Sequence, residues 1–175
     1  LNDGMGIFTL VSGTSFTPVW SSSTEFIDVD NDGDLDLLIC GANSSGASTT
    51  NLYENNGTGT FSLVAGVPFD NVQFGDIAFG DTDNDGDQDI FLVGQNDSNQ
   101  FIAKFYINNG TSFSLLPNTP FPGTFAHSSS FADFNNDGNI DLLHVGNSSN
   151  GLIAHIYENQ GSNNFILADS TLSDS

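Results

Sequence analysis

Residues 28–36 read Asp-Val-Asp-Asn-Asp-Gly-Asp-Leu-Asp, and two later stretches repeat this pattern. Residues 81–89 read Asp-Thr-Asp-Asn-Asp-Gly-Asp-Gln-Asp, and residues 133–141 read Asp-Phe-Asn-Asn-Asp-Gly-Asn-Ile-Asp. We call them the first, second and third acidic loops and number their positions one to nine. Their first residues are 53 and 52 positions apart. A constant spacing of this length is typical of repeat proteins, so we expect three copies of one structural unit.

Each unit is predicted to hold four short antiparallel strands, with the acidic loop between the first and the second. The landmarks that recur are a Phe before the loop (Phe26, Phe79, Phe131), an apolar run after it (37–41, 90–94, 142–146), a Tyr before an Asn-rich turn (Tyr53, Tyr106, Tyr157) and a Phe opening the fourth strand (Phe61, Phe113, Phe165). Asn-Gly turns favour hairpins. Four strands in about 50 residues predict an all-β fold of β-propeller blades. A β-sandwich or a β-solenoid is the alternative.

The repeat also predicts the limits of each unit. Residues 14–65, 66–117 and 118–168 form blades one, two and three, and residues 169–175 form a tail. Residues 1–13 are assigned to the fourth strand of a preceding blade, because 2–10 match 55–63. This extra N-terminal strand, Ile7–Val11, has no expected partner in the chain. Since propellers have four to eight blades, we expect part of a larger propeller or a protomer completed by another chain.

The acidic loops have the composition of calcium sites. Carboxylates at alternate positions can converge on one centre, and several hard oxygen ligands suit Ca²⁺ better than Zn²⁺. An EF-hand is excluded because position twelve is Ile39, Leu92 or His144 rather than an acid. About three Ca²⁺ are expected, one per loop, with position seven contributing its backbone carbonyl. The expected ligand residues are Asp28, Asp30, Asp32, Asp34, Asp36, Asp81, Asp83, Asp85, Asp87, Asp89, Asp133, Asn135, Asp137, Asn139 and Asp141.

The third loop has fewer carboxylates than the other two and is predicted to bind most weakly. The alternative for all three loops is a solvated acidic turn without a metal. Like charges packed within nine residues repel one another unless a cation neutralises them, which favours metal binding.

The charge balance excludes several classes of protein. The chain of 175 residues has one Lys or Arg against 22 Asp and Glu, a formal net charge of −21. Nucleic-acid and anionic-lipid binding both require a basic surface, so neither is expected. No apolar run approaches the length of a membrane span. Because 37% of the residues are hydrophobic, the chain is not expected to be disordered.

The motif Asp-x-Asp-x-Asp-Gly-x-x-Asp, with the preceding Phe and the following hydrophobic strand, resembles the FG-GAP/VCBS repeat family over about residues 14–167. That family includes the calcium-binding blades of integrin α-subunit propellers, fungal lectin propellers and many bacterial surface proteins. The resemblance implies a propeller, typically of seven blades, with Ca²⁺ between the first two strands of a blade, outside the cell or on its surface. Directly before the acidic loops, the Phe-Gly element is present as Phe79-Gly80 in unit two but is replaced by Phe26-Ile27 and Phe131-Ala132 in the others, which favours the broader VCBS-like group over a true integrin subunit.

The loops on the side of the blades away from the acidic loops are predicted to carry a ligand face of aromatic and amide side chains. Such a face suits contact with a carbohydrate or a protein; the alternative is that the aromatics fill the spaces between blades. Its aromatic members are Trp20, Phe69, Phe74, Phe121 and Phe125. Glycosylation sequons in predicted loops or turns occur at Asn43, Asn56, Asn96, Asn109 and Asn147.

Catalysis finds little support in the sequence. His127, His144 and His155 lie apart, without the spacing of a nucleophile or a metal triad. His144 stands where other units have Ile or Leu and is predicted to be a core histidine, and Cys40 a small buried residue.

We therefore expect an extracellular or cell-surface calcium-binding propeller protein, not an enzyme, that acts in adhesion or assembly. One version is a subunit of a surface polymer. The partners would be a protein or a glycan at the cell surface, another copy, or further blades. The alternatives are a lectin-type propeller and a non-catalytic propeller attached to an enzyme.

Overall fold

A computed structural model of the chain describes residues 4–11 and 13–169, and all the regular elements in these ranges are strands. The predicted tail beyond residue 169, residues 1–3 and the side chain of His127 lie outside the described part. Blade one contains β1 (Trp20–Ile27), β2 (Asp36–Ala42), β3 (Ser48–Asn55) and β4 (Phe61–Leu63). Blade two contains β5 (Gln73–Gly80), β6 (Asp89–Gln95), β7 (Phe101–Asn108) and β8 (Phe113–Leu115). Blade three contains β9 (Thr124–Ala132), β10 (Asp141–Ser148), β11 (Gly151–Asn159) and β12 (Phe165–Asp169).

Each blade is a separate antiparallel sheet with its strands in chain order. The predicted all-β fold of three four-stranded antiparallel repeats is therefore confirmed. The described residues do not close into a ring. The first strands lie side by side, with β5 between β1 and β9, so blade two is packed on both faces.

The second strand of blade two is the centre of the packing. Alternate residues of β6 face opposite neighbours: Ile90 and Leu92 pack against blade one, whereas Phe91 and Val93 pack towards blade three. This strand is buried on both faces because blades cover it on each side, which explains its continuous apolar run. Each fully buried side chain of this kind stabilises the fold by about 1.5–3 kcal/mol.

A half-buried carboxylate joins the first strands of neighbouring blades. Asp76 of β5 accepts a hydrogen bond of 2.7 Å from the backbone N–H of Ser129 in β9. Burial raises the pKa of Asp76, and its hydrogen bonds with Ser129 and Ser23 act in the opposite direction. The three blades are thus linked by polar contacts as well as by apolar cores.

The N-terminal segment differs from its prediction. No strand forms over Ile7–Val11, where only Phe8 has an isolated bridge. Its apolar side chains are exposed, and Leu10 is 99% accessible. The strand is missing because no sheet of the described residues takes in this segment. Its assignment to a preceding blade, like the other blade limits, stays a prediction.

Candidate metal centre

All three acidic loops share one backbone conformation. The Asn at position four and the Gly at position six both have positive φ, for example 60° at Asn31 and 90° at Gly33. Asn and Gly tolerate this left-handed region better than other residues. The sharp turn brings the position-six N–H onto the position-one carboxylate, at 3.0 Å from Gly33 to Asp28. The equivalent distances are 3.1 Å from Gly86 to Asp81 and 2.9 Å from Gly138 to Asp133.

The position-nine carboxylate holds each loop to the sheet. Asp36 accepts hydrogen bonds from the N–H of Val29 at 3.1 Å and the N–H of Asn55 at 2.8 Å. The second and third loops repeat the pair: Asp89 accepts from Thr82 and Asn108, and Asp141 accepts from Phe134 and Asn159. All three carboxylates are buried, and burial raises their pKa, in Asp89 to about 6. Because burial disfavours a carboxylate's charge, a cation nearby would relieve an electrostatic cost.

The first two loops bring acidic ligand atoms together. Oxygen atoms of Asp28, Asp30 and Asp36 lie within 4.8 Å of one another, and so do those of Asp81, Asp83 and Asp85. The structure does not place Asp32, Asp34, Asp87 or Asp89 in these groups. In the described residues, the third loop forms no such group of three acids, so its predicted ligands Asp133, Asp137 and Asp141 are not gathered in this way.

Two carboxylate oxygens in these groups lack a hydrogen-bond partner. Asp28 Oδ1 and Asp83 Oδ1 are both buried and unpaired within the described structure. An unpaired buried carboxylate oxygen is costly, and a bound cation satisfies it. The residues present in the first and second loops therefore fit a hard divalent metal ion such as Ca²⁺.

The position-seven side chains are turned towards the neighbouring hairpin rather than gathered with the other acids. An added methyl at Gly110 would lie 3.1 Å from Asp87 Oδ2, and one at Gly57 would collide with Asp34. This packing explains the Gly of the Asn-Gly turns in blades one and two, and it leaves the backbone carbonyl as the ligand atom expected at position seven.

Several polar residues around the loops escaped the sequence analysis. Asn108 Nδ2 donates to the Val29 carbonyl at 2.8 Å, and Asn159 Nδ2 donates to the Thr82 carbonyl at 2.7 Å, so each Asn reaches the acidic loop of the preceding blade. Asn163 Nδ2 also crosses between blades, donating to Asp83 at 3.2 Å. The sequence feature that could have identified Asn108 and Asn159 is the Asn that ends the third strand in every unit.

Another missed residue is Glu158, which lies beside the third loop. The Asn135 amide donates to Glu158 Oε1 at 3.3 Å, while its own Oδ1 accepts the N–H of Asp137 at 2.9 Å. Glu158 therefore orients the amide that replaces an acid at position three. Glu54, at the equivalent place in blade one, lines a cleft of about 350 Å³ together with Asp30 of the first loop.

The predicted ligand face is only partly formed. Trp20 and Phe74 are 54% and 41% exposed, and their rings meet edge to face with centroids 6.0 Å apart. Phe125 stacks beside Phe101. The prediction is wrong for Phe69 and Phe121, which are 8% and 7% exposed. They pack on the rings of Tyr106 and Tyr157, filling the spaces between blades.

The sequons occupy two kinds of structure. Asn43, Asn56, Asn96 and Asn109 lie outside the strands, and each side-chain oxygen accepts a backbone N–H two residues ahead. Asn147 lies inside β10, paired with Phe125 and Leu152, so its predicted loop position is wrong. The β10–β11 connection is shorter than expected, because β10 extends to Ser148.

The predictions for His144 and Cys40 are confirmed. His144 is fully buried, and its ring nitrogens lie 3.1 Å from Ser129 Oγ and 3.2 Å from the Pro122 carbonyl. Burial lowers its pKa to about 4. Cys40 is also fully buried, and burial raises the pKa of its thiol to about 11. His155 is half-buried, and its Nδ1 lies 3.0 Å from the Tyr157 hydroxyl.

The model of a known family, the FG-GAP-like repeat, matches residues 28–92 and, in an overlapping second alignment, residues 81–144. The chain belongs to the FG-GAP-like repeat family. Each alignment begins at position one of an acidic loop and ends in the second strand of the next blade. Comparisons with curated proteins and with solved structures give no significant match.

FG-GAP-like repeats are typical of extracellular proteins and often bind calcium. Within the described part of this FG-GAP-like chain, no helix is long and apolar enough to cross a membrane. Family membership and the two converging acidic groups both favour metal binding by the acidic loops.

Proposed function

We propose that this FG-GAP-like chain is a calcium-binding blade array that acts outside the cell in adhesion or assembly, without a catalytic role. The observation that carries the proposal is the pair of buried, unpaired carboxylate oxygens, Asp28 Oδ1 and Asp83 Oδ1, within groups of converging acids. Hydrogen bonds inside the loops satisfy most other acceptors. These two are the buried carboxylate oxygens for which the described residues offer no donor.

Calcium would supply the positive charge that the loops lack. Asp28, Asp30 and Asp36 would hold it in the first loop, and Asp81, Asp83 and Asp85 in the second, with the other predicted positions completing the six to eight oxygens that Ca²⁺ takes. The third loop would bind more weakly, because Asn135 and Asn139 replace acids. A neutralised loop also lowers repulsion within a chain of net charge −21.

Calorimetric titration of metal-free protein with CaCl₂ and MgCl₂ tests the metal. We expect two tighter calcium sites, a weaker third one and little response to magnesium. Because a ligand bound only by the folded state raises stability by mass action, the melting temperature should fall when a chelator is added. The double variant Asp28→Asn, Asp81→Asn should lose most of this calcium-dependent shift, whereas Asp70→Asn, outside the loops, should keep it. An unchanged melting curve with and without chelator contradicts the metal assignment.

The adhesive role is supported by the family and by the charge. FG-GAP-like repeats are typical of extracellular proteins, and the acidic surface disfavours binding to nucleic acid. The proposed partner is a protein or a glycan at a cell surface. Cells should attach to a surface coated with the chain in calcium and detach in chelator. Equal attachment to the calcium-deficient double variant would count against the role.

A lectin function is the second candidate, favoured by the exposed Trp20–Phe74 pair. Phe74 and the adjacent-blade equivalent Ser21 have φ of 49° and 48°, values that bulky residues rarely adopt. Such outliers concentrate at binding sites, and exposed aromatic rings suit the apolar faces of sugars. A glycan array with Trp20→Ala, compared with Phe26→Ala elsewhere on the surface, tests it; binding that both variants retain excludes the Trp20 face.

A further inference from the structure

In the first two acidic loops, hydrogen bonds hold both the N–H and the carbonyl of the residue at position two. The Val29 N–H donates to Asp36 of its own loop at 3.1 Å, and the Val29 carbonyl accepts from Asn108 of blade two at 2.8 Å. Val29 lies between Asp28 and Asp30, two members of the converging acidic group. The blade that follows therefore fixes the segment that presents these two acids.

The same arrangement recurs one blade later. The Thr82 N–H donates to Asp89 at 3.1 Å, and the Thr82 carbonyl accepts from Asn159 of blade three at 2.7 Å. Thr82 again lies between two members of an acidic group, Asp81 and Asp83. Asn108 and Asn159 are both buried, at 1% and 0% exposure, so water does not compete for these bonds. Because the same hydrogen bond occurs in two blades, the contact is a repeated feature of the fold rather than an incidental one.

In the described residues, the third loop lacks this contact from a following blade. The Phe134 N–H donates to Asp141 at 3.2 Å, but no described residue donates to the Phe134 carbonyl. The Phe134 side chain is 49% exposed, whereas Val29 and Thr82 are buried. This is also the loop whose acids do not form a converging group in the described structure. Because position three of this loop is Asn135, whereas both converging groups have an Asp there, composition already explains the missing group, and the argument rests on the first two loops.

We propose that Asn108 and Asn159 are positioning residues for calcium, each holding the acidic loop of the blade before its own. The proposal rests on calcium binding under the proposed function and adds that each site depends on the next blade. Without the amide, the carbonyl at position two loses its donor, and only the N–H bond to the position-nine Asp still holds the segment between the two flanking carboxylates. Groups that orient metal ligands typically contribute 10- to 100-fold to affinity, so we expect a loss of at least about tenfold.

The test requires calcium affinity resolved loop by loop. Nitrogen-15 NMR provides it through the position-six amides of Gly33, Gly86 and Gly138, each bonded to the first Asp of its own loop. In calcium titrations, Asn108→Ala should shift the midpoint at Gly33 to at least about tenfold higher calcium while that at Gly86 is unchanged. Asn159→Ala should shift the midpoint at Gly86 and leave that at Gly33 unchanged.

The matched control is Asn109→Ala, which removes the neighbouring exposed Asn of the same turn and should shift no midpoint. Because Asn108 is buried, Asn108→Thr provides a second variant that removes the amide with almost no change in side-chain volume, and it should shift the same glycine. Equal shifts at all three glycines would indicate general destabilisation and overturn the proposal. Calcium responses at Gly33 that are unaffected by either Asn108 variant would also overturn it. A wild-type protein in which no glycine responds to calcium would instead refute the proposed function itself.

Discussion

The substitution Asp89→Ala would separate the two roles of the position-nine carboxylate. Asp89 is fully buried at the start of β6 and accepts the backbone N–H of Thr82 at 3.1 Å and of Asn108 at 2.9 Å. The Thr82 hydroxyl also donates to it. Removal of the carboxylate leaves these donors buried without an acceptor. The loop and the end of β7 then lose their common attachment.

The expected loss of stability follows from the two backbone hydrogen bonds that Asp89 accepts. A hydrogen bond to a charged group contributes about 1.5–3 kcal/mol, so two of them amount to about 3–6 kcal/mol. The substitution also removes a buried carboxylate whose pKa burial raises to about 6, which offsets part of this loss. We expect the free energy of unfolding without calcium to fall by about 3 kcal/mol. With calcium the loss grows, because metal binding to the folded state is weakened as well.

Urea unfolding followed by the fluorescence of Trp20 measures both quantities, once in chelator and once in calcium. Asp85→Ala is the control, because Asp85 is exposed and belongs to the converging acidic group without anchoring the sheet. It should cost about 1 kcal/mol or less in chelator but reduce the stabilisation by calcium. If Asp89→Ala lost no more stability than Asp85→Ala in chelator, position nine would not be an anchor.

Three further predictions concern the cores and the pH dependence. Burial lowers the pKa of His144 to about 4. The stability gained by keeping His144 neutral is therefore present above the unfolded pKa of about 6.5 and is lost as pH falls towards the folded pKa, by up to about 1.4 kcal/mol per pH unit. His144→Leu should remove that part of the slope in urea titrations between these two pKa values; an unchanged slope contradicts the assignment. Phe91→Ala, in the core between blades two and three, should cost about 3–5 kcal/mol. Leu143 occupies the equivalent position in blade three but is 41% exposed. Leu143→Ala should cost less than about 1 kcal/mol, and equal losses in the two variants would refute the packing argument.

The sequence predicted the features that depend on local pattern. The spacing of the loops, the apolar second strand and the Asn-Gly turns each arise within one hairpin, and hairpins are encoded by turn residues and alternation. The β4 strand, Phe61–Leu63, begins and ends where the pattern indicated. The burial of His144 was also predictable, because the repeat aligns it with buried Ile39 and Leu92.

The errors concern features that depend on neighbouring blades. Phe69 and Phe121 read as exposed loop aromatics, yet the core shared with the preceding blade buries them: Phe69 lies in one cluster with Leu38 of blade one, and Phe121 packs on Phe91 of blade two. Asn108 reads as a turn residue, but its amide partner Val29 is 79 residues earlier in the chain. Spacing within one unit carries no information on such distant contacts. Only the packing of one blade on the next determines them.

The contacts of Asn108 and Asn159 also bear on the order in which the acidic loops are completed during protein synthesis. A ribosome delivers Val29 well before Asn108, because 79 positions separate them. The first acidic loop therefore emerges incomplete and takes its final shape only after the third strand of blade two has been synthesised. The second loop likewise gains its hydrogen bond at the Thr82 carbonyl only after Asn159 has been synthesised. Each of these two loops can therefore gain its contact between blades only after the third strand of the following blade has been synthesised.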